Sequence, residues 1–169
     1  IGGLSVMTKG SAPTDGGNLL LNRDEIESLK LAKCQQQQIV RRFLGSEDSI
    51  QGKERFCLWL NKLTEADLSA NPQIVERLAA VRSMRLDSDK KPTQELAKTP
   101  HLFGEIRQTG DELPFVIPRH SSESREYLPF ALGVKGDIVA DSASALYDAP
   151  LWNMAIYASR LHLVWIAAI

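Results

Sequence analysis

The residue types best placed to do chemistry in this chain are arginines at turns and strand ends. Arg41 and Arg42 stand just before Phe43-Leu44-Gly45, and an apolar, aromatic-rich block, Phe56-Cys57-Leu58-Trp59-Leu60, follows Lys53-Glu54-Arg55. Further arginines lie after Phe103-Gly104-Glu105-Ile106 (Arg107), after Val116-Ile117-Pro118 (Arg119) and within the stretch Ser121 to Tyr127 (Arg125). A guanidinium presents a planar fork of N–H donors that suits phosphate oxygens and guanine O6/N7. Ser121, Ser122 and Ser124 add the small donors that position a nucleic-acid backbone. Arg119 and Arg125 have a second reading, in which Glu105, Glu123 or Glu126 pairs with them and simply holds the loop.

Constellations for catalysis are missing from the sequence. His101, His120 and His162 are far apart and lack a metal-ligand pattern, and Cys34 and Cys57 form no CxxC. No GxSxG elbow, Walker loop or GxGxxG occurs. His120-Ser121-Ser122 places hydroxyls beside an imidazole, but sequence neighbours rarely form a working pair. We therefore expect no catalytic residue, metal or cofactor in this chain.

Net charge is −1, which gives no global argument for a polyanionic partner, but the charge is segregated. Residues 30–62 hold seven Lys/Arg against three acids, a local net of +4, and residues 71–100 hold six against four, a net of +2. Segregation of this kind can build a positive face on a nearly neutral protein.

At 169 residues, with 43% hydrophobic and 24% charged positions, the chain is expected to be a single domain, residues 1–169. It starts at Ile1 and ends on Val164-Trp165-Ile166-Ala167-Ala168-Ile169, so it reads as a piece of a larger chain. Two cysteines and no signal or membrane-spanning pattern point to a cytoplasmic setting. Asn22 opens a helix carrying Asp24, Glu25 and Glu27. Asn71-Pro72 opens another whose stripe Ile74, Leu78, Val81 runs into Arg82 and Arg85, cations that either meet an anion or complement the helix dipole. Lys90-Lys91-Pro92 ends it, and Thr93 to Lys98 adds a short turn of helix.

Residues 102–106, 114–118, 128–132, 137–141 and 143–147 read as short strands, before a helix from about Ala149 that is apolar nearly all round. The fold class predicted is α+β: short N-terminal helices, a small antiparallel or mixed sheet, and a long buried C-terminal helix. Phe56, Trp59, Phe103, Leu128 and Trp165 are expected in the core.

Five segments in register, GSAPTDGGNLLL, VRRFLGSEDSIQGKERFCLWL, RLDSDKKPTQELAKTPHLFGEIRQ, VIPRHSSESREYLP and ASRLHLVW, resemble the target recognition domain of MmeI-like (YeeA-like) enzymes. These are type IIG/IIL restriction-modification proteins with an adenine-specific DNA methyltransferase core. A looser similarity, carried by Gly136-Asp137-Ile138-Val139 and Ala158-Ser159-Arg160, extends to recognition domains of other adenine methyltransferases and type I specificity subunits.

The resemblance implies a module that docks on double-stranded DNA and reads base edges. It would hold a target adenine for a catalytic domain of the same parent chain. That domain would bind S-adenosylmethionine, whereas the methyl-donor glycine motif and the Asn-Pro-Pro-aromatic motif do not occur in this chain. Contacts to phosphate or bases are expected from Arg41, Arg42, Arg85, Lys90, Lys91, Arg107, Arg119, Ser121, Ser122, Arg125 and Arg160. The competing expectation is a protein-interaction or scaffolding module that docks through its apolar last helix.

Overall fold

The computed structural model describes residues 6–120, 122 and 125–168, apart from the side chains of 49 and 50. In chain order the elements open with β1 (Thr8–Lys9), β2 (Leu20–Leu21), α1 (Arg23–Ser28), α2 (Lys33–Ile39), β3 (Val40–Leu44), α3 (Ser46–Gln51) and β4 (Phe56–Leu58). There follow α4 (Glu65–Ser69), α5 (Pro72–Leu86), α6 (Lys91–Glu95) and a 3₁₀ turn over Leu96–Lys98. The second half holds β5 (Pro114–Pro118), β6 (Ala131–Leu132), β7 (Ile138–Val139), β8 (Ala143–Tyr147), α7 (Trp152–Tyr157) and α8 (Arg160–Ala167). The architecture is α+β, and the chain divides into two compact units.

One unit comprises Ile1–Gly10, Leu44–Lys53 and Arg107–Ile169. Its antiparallel sheet runs β1-β8-β5-β6, with Val116 opposite both Ala145 and Ala131. Successive side chains of a strand alternate between faces. Val116 accordingly packs with Val139, Ala143 and Ala145. Phe115 and Ile117 pack on the opposite side with Leu146, against Phe130, Met154 and Tyr157. All of β5 is buried, which explains its near-continuous apolar sequence.

Gly136 (φ 96°) makes the left-handed turn that leads into β7, and the buried Asp137 carboxylate accepts from the Val134 N–H at 2.8 Å. Buried Gln108 then donates to the Asp137 carbonyl (2.8 Å) and accepts from Val139 N–H (2.8 Å) and Tyr147 OH (2.9 Å). The Gly136-to-Val139 signature is thus a structural device of this unit.

The other unit comprises Ser11–Phe43 and Glu54–Ile106. Its short antiparallel ladder runs β2-β4-β3, with Cys57 opposite Leu20 on one side and Arg41 on the other. Asn22 caps α1 in a reciprocal capping box with Glu25. Asn71 caps α5, accepting from Gln73 N–H and Ile74 N–H. From α5, Ile74, Leu78 and Val81 are buried, and Phe103 sets its edge against Phe43 and Trp59, with centroids 5.9 and 5.0 Å apart.

The long buried C-terminal helix is not formed. The segment folds as two short helices, α7 and α8, with none of their described residues buried. Ser159 adopts extended backbone (ψ 142°), and its hydroxyl accepts from His162 N–H at 3.1 Å, so it caps a new helix instead of continuing the old one. Trp165, expected in the core, is 64% exposed, and Leu161 is 80% exposed. Phe56 and Leu128 are only half-buried, whereas Trp59 and Phe103 are buried as expected. Of the strand expected over 102–106, only an isolated bridge between Glu105 and Ala12 forms.

Candidate nucleic-acid interface

Arg119 lies at the end of β5 and is anchored on two sides. It follows Pro118 directly, its N–H donates to the Ser46 hydroxyl at 3.2 Å, and its guanidinium donates to the Asp141 carbonyl at 3.4 Å. Ser46 in turn hydrogen-bonds Ser142 through both its N–H and its hydroxyl. The side chain remains exposed, so one edge of the guanidinium is tethered while the rest meets solvent.

In the segment that follows, Arg125 N–H donates to the Ser122 carbonyl at 3.2 Å, and both residues are exposed. Arg160 reaches this segment from the start of α8, forming an ion pair with Glu126 at 3.2 Å. An exposed pair of this kind contributes little to stability and exchanges readily for a stronger anion. Arg107 is exposed as well. Ser121 lies outside the described residues, as do Glu123 and Ser124.

In the other unit, Arg41 and Arg42 do not act side by side, because alternation along β3 sends them to opposite faces. Arg41 is half-buried, and its Nε is enclosed without a hydrogen-bond partner among the described residues. Arg42 is exposed and lines an open groove of about 530 Å³. Arg23, Lys33, Gln36 and Gln37 share that groove with it, over a floor that includes Ile26, Val40 and Phe56.

The arginine turns of the sequence do not point to Arg23, Lys33 or the two glutamines, which line this groove. The available signal was spacing: Lys33, Gln36 and Gln37 stand at i, i+3 and i+4 and therefore share one face of α2. Lys90 and Lys91 are exposed at the start of α6, where the Lys90 carbonyl accepts from Thr93 N–H and Gln94 N–H.

Arg85 corrects the expectation placed on it. Its side chain is 0% exposed. Nε donates to Thr14 O (2.9 Å), one terminal nitrogen to Leu96 O and Thr99 O (2.8 and 3.0 Å), and the other to Pro13 O and Leu102 O (3.0 and 2.8 Å). Every N–H of the guanidinium is spent on a backbone carbonyl, so none is left for a phosphate or a base. Burial pulls its pKa down, and the nearby Asp15 charge pushes it back up. Arg82, one turn earlier, is exposed.

Exposed guanidinium and ammonium groups beside small hydroxyls and amides are the donor set that a phosphodiester backbone calls for. Among the described residues no helix is long and apolar enough to cross a membrane, and no group of His, Cys, Asp and Glu could hold a metal ion.

Comparison with known proteins agrees with this chemistry. The chain is 33% identical over 160 residues to DNA methyltransferase A of Bacillus subtilis (strain 168), covering 95% of this chain and 18% of that protein. In structure it is similar to the type IIL restriction-modification enzyme MmeI, solved in complex with DNA. The TM-score is 0.87 at 29% identity, over 97% of this chain and 22% of that one. The chain thus spans about a fifth of the length of each of these relatives. The family described as "MmeI, target recognition domain" matches residues 1–169 in full, and the chain belongs to that family.

Proposed function

We propose that this chain recognises a specific sequence in duplex DNA on behalf of a DNA methyltransferase, within a restriction-modification system. The observation that carries the reading is the likeness, over 97% of this chain, to an MmeI structure that holds DNA. In this reading the chain makes no covalent chemistry. It docks on the duplex, selects the site through base edges, and presents one base to a catalytic domain of the same protein. Its resemblance to adenine-specific enzymes supports adenine as the base presented and S-adenosylmethionine as the methyl donor, bound by that catalytic domain.

The residues proposed to touch phosphate or bases are Arg41, Arg42, Lys90, Lys91, Arg107, Arg119, Ser121, Ser122, Arg125 and Arg160. Phosphate contacts fix register and supply most of the affinity, whereas base contacts supply the choice of site.

Binding of a fluorescent duplex across a salt series tests this. Each neutralised phosphate contributes about −0.9 to the slope of log K against log salt, so several contacts give a steep dependence. Arg119→Ala should weaken binding by about 10-fold and flatten that slope by roughly one unit, the loss of one charged hydrogen-bonding contact. Its melting temperature should stay unchanged, because the side chain is exposed. Duplex affinity that does not vary with salt would overturn the reading. A collapsed melt for Arg119→Ala would instead assign that arginine to holding its loop.

A further inference from the structure

Four consecutive glutamines, Gln35 to Gln38, occupy the middle of α2, and the helix deals them to two different surfaces. Gln36 and Gln37 share a face with Lys33 and line the groove that Arg42 borders. Gln35 and Gln38 line a separate depression, with Leu63, Asp67 and Asn71. The Gln35 amide is engaged locally, accepting from Ala32 N–H at 3.3 Å.

The two surfaces differ in charge. Lys33, Arg42 and Arg23 face a single acid, Glu27, across the first groove. Arg23 holds the exposed Glu54 carboxylate through its Nε and a terminal nitrogen. Lys33 and Arg42 are the other two cations of that lining.

A carboxamide carries a donor and an acceptor side by side, the complement of adenine N6 and N7 on the major-groove edge. The partly apolar floor suits a thymine methyl. A helix of seven residues is about 10 Å long, short enough to sit across a major groove roughly 12 Å wide. A lone anion can take the amide N–H donors but leaves the carbonyl acceptors idle. A duplex edge flanked by phosphates uses both.

We propose that Gln36 and Gln37 are specificity-determining residues that read adjacent base edges, with adenine the preferred base, while Lys33 and Arg42 grip the flanking phosphates. The assignment rests on the duplex-recognition function proposed above and names the part of the surface that would discriminate between sites.

The test selects bound sequences from a pool of duplexes with a randomised centre, using the full protein and its variants. Gln36→Ala with Gln37→Ala should relax the preference for adenine at one or two neighbouring positions by about 10-fold, with overall affinity little changed. Gln37→Glu should move the preference at its position from adenine towards cytosine, whose N4 amino group donates to a carboxylate. Lys33→Ala and Arg42→Ala should weaken all sequences alike and flatten the salt slope by about one unit each. Gln38→Ala, on the other surface, should change nothing.

Unchanged selected sequences in both the double variant and Gln37→Glu overturn the proposal while leaving the duplex-recognition function standing. The same relaxation in Gln38→Ala also overturns it. A parent protein that binds no duplex in a salt-dependent way removes both.

Discussion

Arg85 and Arg119 carry the same side chain and do opposite things. Arg119 sits at a strand end with one edge tethered to the Asp141 carbonyl and the rest in solvent. Arg85 is sealed inside, gathering carbonyls from Pro13-Thr14 and from Leu96, Thr99 and Leu102. Removing a buried, fully bonded charge strands its partners, at a cost of about 3–5 kcal/mol. Arg85→Leu should therefore lower unfolding free energy by about that amount in urea titrations. A loss under roughly 1 kcal/mol would show that the carbonyl cluster is satisfied some other way.

The sequence did carry the information that the Ile74-Leu78-Val81 stripe continues into Arg85. What it could not convey was the clustering of carbonyls around that position, which brings the distant Pro13-Thr14 segment together with the turns that follow α6. A guanidinium on an apolar stripe is compatible with an anion or with a buried cluster, and only the packing decides between them.

At the level of elements, strong local signals were read correctly where one physical cause dominated. Pro114–Pro118 and Ala143–Tyr147 form strands with the anticipated limits, and the Asn22 and Asn71 caps open α1 and α5. The C-terminal segment departs from expectation because hydrophobicity all round a helix does not by itself bury it. The break depends on the Ser159 side chain bonding His162 N–H, a local choice that composition does not reveal.

Close backbone approach is equally invisible in sequence. At Gly10 an added Cβ would lie 2.1 Å from the Ala140 carbonyl oxygen, where nothing can give way except backbone. The Gly10 N–H also bonds the Ala143 carbonyl at 3.0 Å, just at the start of β8. Gly10→Ala should cost about 1–3 kcal/mol, the usual penalty for overpacking. A stability equal to that of the parent would mean that β1 sits farther from Ala140 than the structure has it.

At the scale of the whole molecule, a formal net charge of −1 conceals cations placed where they can work. Both compact units carry exposed Arg or Lys from the proposed contact set: Arg107, Arg119, Arg125 and Arg160 in one, Arg42, Lys90 and Lys91 in the other. The resemblance visible in five sequence segments led to the right family, because those segments hold the turns, caps and strand ends that the fold requires. Individual contacts were less legible. Exposure, strand alternation and ion pairing decide them, and these set Arg41 apart from Arg42 and removed Arg85 altogether.

The central claim is that this chain chooses the DNA site. Exchanging residues 1–169 for the matching segment of a family member with a different recognition site, then sequencing the methylated DNA, measures that choice directly. The account predicts that the methylated motif travels with the exchanged segment. A motif that stays with the rest of the protein would contradict it.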